Sequence, residues 1–169
     1  LYIDKLTGQA QVNVIFHTAM SGVTVGAGIT DQSIETFETP GFPTNAGDPY
    51  GMQLIVPGLY VDNGAGGTQG LLWDNAVRGE ENAQLSGTYF PVTVQVSDLF
   101  GNFTNGQSDQ VQVTSGDNNA GAVPRNGVPV GLTLSNSRAV TMARLISAGY
   151  INMGVSNISV PARNHTFYY

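Results

Sequence analysis

The stretch that most restricts how this chain can fold is residues 88–113, TYFPVTVQVSDLFGNFTNGQSDQVQV. Val92, Val94 and Val96 alternate with Thr93, Gln95 and Ser97. A period of two puts the valines on one face of a strand and the polar residues on the other. Asp98-Leu99-Phe100-Gly101-Asn102 then interrupts the alternation with turn chemistry. Asp and Asn bond to nearby backbone, and Gly tolerates positive φ. After Asn105-Gly106 the alternation resumes, with Val111 and Val113 inward and Gln110 and Gln112 outward. The expectation is strand, loop, strand, with one dry face and one wet face. The dry face needs a second sheet packed against it.

Other segments carry the same punctuation. Residues 10–16 read as a strand in which Val12, Val14 and Phe16 alternate with Gln11, Asn13 and Ile15. Residues 17–22 read as a bend, after which Val23, Val25 and Ala27 resume, so the start of the chain reads as a hairpin. Residues 32–51 hold Pro40, Pro43 and Pro49 and read as a linker or long surface loop. Met52 to Val56 is a short strand stopped by Pro57-Gly58, with residues 59–61 as its partner. The glycine-rich run 62–70 is followed by no Gly-Lys-Ser/Thr, so it is not a phosphate loop. Residues 74–84, with Arg78, Glu80 and Glu81, read as an exposed loop. Val130, Leu132 and Leu134 make a strand, Asn136-Ser137 turns, residues 139–145 make another, and residues 150–155 and 158–160 close the series. Short strands separated by frequent turns, with no helical period, give an all-β antiparallel β-sandwich with an extra N-terminal hairpin. The organisation that follows is a hairpin arm and linker over residues 1–40 and a sandwich with an aromatic tail over 41–169.

Composition narrows the function classes. Charged residues make up 11% of the chain, and twelve acids face six lysines and arginines. A net charge of −6 argues against nucleic acid and against anionic membrane surfaces as partners. There is no cysteine, hence no disulfide and no thiolate metal site. No run of eighteen apolar residues is present to insert into a membrane as a helix. The first residues lack the basic start and apolar core of a leader peptide, and the chain does not open on Met. It therefore reads as a processed form or a piece of something longer, with residues 1–40 as the end of a preceding unit one option.

Three stretches carry a resemblance. Leu54-Ile55-Val56-Pro57-Gly58 opens the series. Val94-Gln95-Val96-Ser97-Asp98-Leu99-Phe100-Gly101-Asn102 has the form Val-x-Val-x-Asp-x-x-Gly-Asn. Leu145-Ile146-Ser147-Ala148-Gly149-Tyr150-Ile151-Asn152-Met153 ends it on an Ala-Gly turn. Their order resembles the immunoglobulin-like repeats of bacterial surface and filamin-type proteins, over about two thirds of the chain. The resemblance implies an immunoglobulin-like sandwich acting as a structural or adhesive module, and no active site. Residues 62–88 run longer than the family's pattern, and the first forty residues lie outside one unit.

Candidate chemistry is sparse. His17 and His165 sit beside threonine without acidic neighbours at metal spacing, and neither Gly-x-Ser-x-Gly nor His-Glu-x-x-His occurs. Glu80-Glu81 reads as a solvated loop, because adjacent carboxylates point apart and glycoside hydrolysis needs a facing pair. Asp62, Asp98, Asp109 and Asp117 lie in turns where calcium could fit, but without EF-hand spacing. Asp98 reads first as a turn former that accepts backbone N–H groups. Trp73, Phe90, Phe100, Phe103, Tyr150 and the terminal Phe167-Tyr168-Tyr169 could form a sugar-binding surface, or Phe90 and Trp73 fill the core as aromatics mostly do. Asn102, Asn157 and Asn164 each head an N-glycosylation triplet, frequent by chance in an Asn/Thr-rich chain.

The sequence is thus read as a non-catalytic module with no cofactor, at the cell surface or outside the cell. It associates with copies of itself into a filament, sheath or adhesin array by edge-strand pairing. The candidate inter-subunit contacts are Val12, Val14, Phe16, Val23 and Val25 in the arm and Phe167, Tyr168 and Tyr169 in the tail. The alternatives are a virion component, such as a capsid cement or tail-decoration protein, and a carbohydrate-binding module.

Overall fold

The structure, a computed structural model, describes residues 11–16, 19–27, 37–61 and 77–163. Its strands in chain order are β1 (Met20–Val23), β2 (Gly26–Ala27), β3 (Phe37–Glu38), β4 (Phe42–Thr44), β5 (Gly51–Ile55), β6 (Leu59–Val61), β7 (Val77–Gly79), β8 (Tyr89–Ser97), β9 (Gln110–Ser115), β10 (Val130–Thr133), β11 (Arg138–Arg144) and β12 (Met153–Asn157). A single turn of 3-10 helix follows at Pro161–Arg163. The chain is all-β and antiparallel throughout its described ladders.

The body is a sandwich of two three-stranded sheets, ordered β11-β8-β5 and β10-β9-β12. Alternation in β8 sends Phe90, Val92, Val94 and Val96 inward, where Met52 lies opposite Val96, Leu54 opposite Val94 and Ala143 opposite Phe90. Val111, Val113, Met153 and Val155 of the second sheet meet them, and all belong to one buried cluster. Burying each such side chain contributes roughly 1.5–3 kcal/mol.

The pairing corrects the expected local partner of the central stretch. β8 and β9 do not share a ladder; they lie in opposite sheets, and their valines face each other across the core. The loop between them first folds back on the end of β8, where Thr104 N donates to the Val96 carbonyl at 3.2 Å and Phe103 bridges to Ser97. It then runs beside the β10–β11 turn, where Ser137 N donates to the Gln107 carbonyl and Gln107 N donates to Ser137 Oγ. Asn136 and Ser137 both take positive φ there, as a tight turn with two left-handed central residues requires.

The N-terminal hairpin also differs. Residues 11–16 lie outside any strand, and β1 and β2 pair instead with β4 and β3. Ser21-Gly22 does not turn the chain. Gly22, at φ +83°, sits where two residues of β1, Ser21 and Gly22, oppose one of β4, Pro43, a β-bulge. Of the prolines expected to mark a loop, Pro43 lies in the partner strand and Pro40 just before it. Among the described residues β4 pairs on one side only, so Pro43 can sit in it without costing a ladder bond. Threonine hydroxyls take up ladder positions: Val25 N donates to Thr39 Oγ1 and Met20 N to Thr44 Oγ1, each at 3.0 Å.

Likewise β6 pairs with β7, not with β5, and part of the charged 74–84 run is strand. Pro57-Gly58 does turn the chain, as expected. Gly58 is at φ +97°, and a Cβ there would collide with the Glu80 carbonyl, so the returning chain passes directly over it.

Candidate assembly surface

Asp98 ends β8 buried, and its carboxylate collects N–H groups from three directions. Oδ1 accepts from Phe100 N and Asn102 N at 2.9 Å, and Oδ2 accepts from Gly47 N at 2.8 Å and Asn102 Nδ2 at 2.9 Å. Asn102, buried as well, uses its carboxamide oxygen to accept Ala19 N at 2.8 Å. One carboxylate–amide pair therefore grips both legs of the β1–β4 ribbon, at Ala19 just before β1 and at Gly47 just beyond β4. The turn-forming role read for Asp98 is present, and it carries this second duty.

Above that clamp the ribbon has little cover. Among its described side chains from Ala19 to Gly26 and from Glu38 to Gly47, none is buried. Val23 and Val25 are half-buried and Met20 is exposed. Before the ribbon, Val12, Val14, Ile15 and Phe16 are exposed, Val12 at 65% and Ile15 at 78%. Of the expected contacts, Val12, Val14 and Phe16 are thus exposed and Val23 and Val25 half-buried. Phe167, Tyr168 and Tyr169 lie outside the described residues, as do His17, His165, Asp62 and Trp73.

A second surface was missed by the sequence reading. The outer face of the β11-β8-β5 sheet divides in two. Near Asp98 it is polar and buried: Gln53, Gln95 and Ser97 are covered, and Gln95 Nε2 donates to Gln53 Oε1 at 2.9 Å. The wet face expected for Gln95 and Ser97 is dry: Gln53 on the adjacent strand partners the Gln95 amide, while Ser97 Oγ has no hydrogen-bond partner. At the other end the face is apolar and open. Tyr89 is 54% exposed, Val140 56% and Met142 47%, with Ile55 half-buried beside them. Arg138 and Arg144 close this stripe at either end of β11, and the Arg144 guanidinium lies 4.8 Å from the centre of the Tyr89 ring. The alternation of residues 139–145 was visible, but both of its faces carry apolar residues. What decides is volume: Ala143 fits opposite Phe90 inside, so Val140 and Met142 are left outside.

The remaining candidates have structural duties. Asp117 is buried and accepts from Asn119 N, Ile146 N, Ser147 N and Ser147 Oγ at 2.7–3.0 Å. Those backbone N–H bonds, Ser147's first, hold its carboxyl well below the usual carboxylate range. Its cage fastens the loop after β9 to the end of β11. Asp109 accepts Asn157 Nδ2 at 2.7 Å. Among the described residues no cluster of His, Asp and Glu is arranged to hold a metal ion. Asn102 and Asn157 are buried with their amides engaged in the folded chain, so neither triplet presents a free acceptor there. Glu80 and Glu81 are exposed, as expected. Tyr89, whose ring lies under Arg144, does not offer a bare stacking platform for a sugar.

No protein-family model matches the chain, and no curated protein matches it.

Proposed function

We propose that this chain is a non-catalytic structural module, immunoglobulin-like in kind, that works at the cell surface or outside the cell by associating with copies of itself into a filament, sheath or adhesin array. The observation that supports this most is the β1–β4 ribbon. A two-stranded ribbon on its own is at best marginally stable in water, yet this one is rooted in a buried carboxylate–amide clamp while none of its described side chains is fully buried. Among the described residues no further strand pairs with its edges, and unpaired edges are templates for pairing with another chain. Strand addition of that kind draws affinity from main-chain hydrogen bonds and specificity from alternate side chains. The body supplies a rigid holder.

Electron microscopy and light scattering on the full chain and on a chain lacking residues 1–46 test this reading. The expected result is ordered assemblies from the first and a folded monomer from the second, its folding checked by cooperative thermal unfolding. Equal assembly by both would remove the ribbon from the account.

A further inference from the structure

We propose that residues 11–16 become a β-strand when two copies meet, pairing parallel and in register with residues 11–16 of the second copy. This rests on the self-association reading and names the segment that pairs.

Sequence and structure disagree over this segment. In Gln11-Val12-Asn13-Val14-Ile15-Phe16, four of the six side chains are β-branched or aromatic, the types that favour strands. Yet residues 11–16 belong to no strand, and all six are exposed. A strand preference that the folded chain leaves unmet marks a place where function overrides local consistency. The segment is also held close to the body. Three residues beyond Phe16, Ala19 N donates to Asn102 Oδ1 in the buried clamp.

The chemistry of the segment selects its partner. Edge strands ordinarily carry charge or proline that keeps neighbours from pairing with them. From residue 6 to residue 30 this chain has no Asp, Glu, Lys, Arg or Pro. The second leg of the ribbon, by contrast, carries Glu38, Pro40 and Pro43. A charged partner therefore finds no counter-charge on residues 11–16. A short β-prone segment without charge or proline is instead the signature of strands that stack on copies of themselves. Alternation puts Val12, Val14 and Phe16 on one face and Gln11, Asn13 and Ile15 on the other. With like residues in register, valine packs on valine, the Gln11 and Asn13 amides form ladders, and no charge is repelled.

Disulfide trapping in the full chain tests the inference, because the protein has no cysteine of its own. Asn13→Cys, assembled and then oxidised, is expected to give covalent dimers between copies. Leu85→Cys, at a position 78% exposed on the body, is expected to give few. Gln11→Cys and Ile15→Cys should each cross-link with themselves; trapping only when the two are mixed would mean an antiparallel pair and overturn the register proposed. Val14→Pro removes a main-chain donor and is expected to raise the concentration needed for assembly at least about tenfold. The melting of its body should not change, since Val14 is 50% exposed and lies in no strand. Val14→Ile, β-branched like valine, should assemble as the wild type does. Undiminished assembly by Val14→Pro, or assembled Asn13→Cys that forms no disulfide, would overturn the inference. Loss of assembly on removing residues 1–46 would then still leave the wider reading standing. A wild type that is monomeric at every concentration would overturn both.

Discussion

Asp98 and Asp117 solve one problem in two places: each ends a strand region and gathers backbone N–H groups that its loop would otherwise leave unpaired. For Asp117 this has a pH consequence. Its carboxyl is held below the value it has in the unfolded chain, so the folded state binds fewer protons there. The stabilisation is complete above the unfolded value of about 4 and is lost as pH falls toward the folded one. Denaturant midpoints measured from about pH 6 to about pH 2 should therefore fall on the acid side. Asp117→Asn should lower the midpoint at neutral pH and flatten that acid limb, because an amide has one acceptor oxygen and no charge. An unchanged acid limb in this variant would contradict the cage. The local half of such a site is legible in sequence: Asp98 with Gly101 and Asn102 announces a turn. The distant half is not. Gly47, and the Ile146–Ser147 amides that reach Asp117, arrive through the topology, and nothing at those positions signals it.

At the level of strands, alternation was a sound guide to what is buried in β8 and β9 and a poor guide to what they pair with. A period of two says which residues share a face; it is silent on whether the next strand joins the same sheet or crosses to the other. The same gap explains Ser21-Gly22, where a glycine at positive φ serves a bulge as readily as a turn. It also explains Val140 and Met142, exposed on a strand whose alanines go inside. The two faces of the sheet should respond differently to substitution. Leu54→Ala, in the core, should cost about 2–5 kcal/mol in urea unfolding. Val140→Thr on the outer face should cost well under that, about 0.5 kcal/mol or less in the monomer. Gly22→Ala has open space for its methyl group but an unfavourable φ. It should raise hydrogen exchange along the β1–β4 ladder while leaving the melting of the body nearly unchanged. A large loss of body stability in this variant would mean that ribbon and sandwich unfold as one unit.

Taken whole, the molecule is a stapled two-sheet body carrying a poorly covered ribbon on a buried anchor. The most direct measurement is the molar mass of the intact chain by light scattering as its concentration rises. A mass that climbs from 17.8 kDa through multiples of it is the predicted result. A mass that stays at 17.8 kDa at every concentration would contradict it.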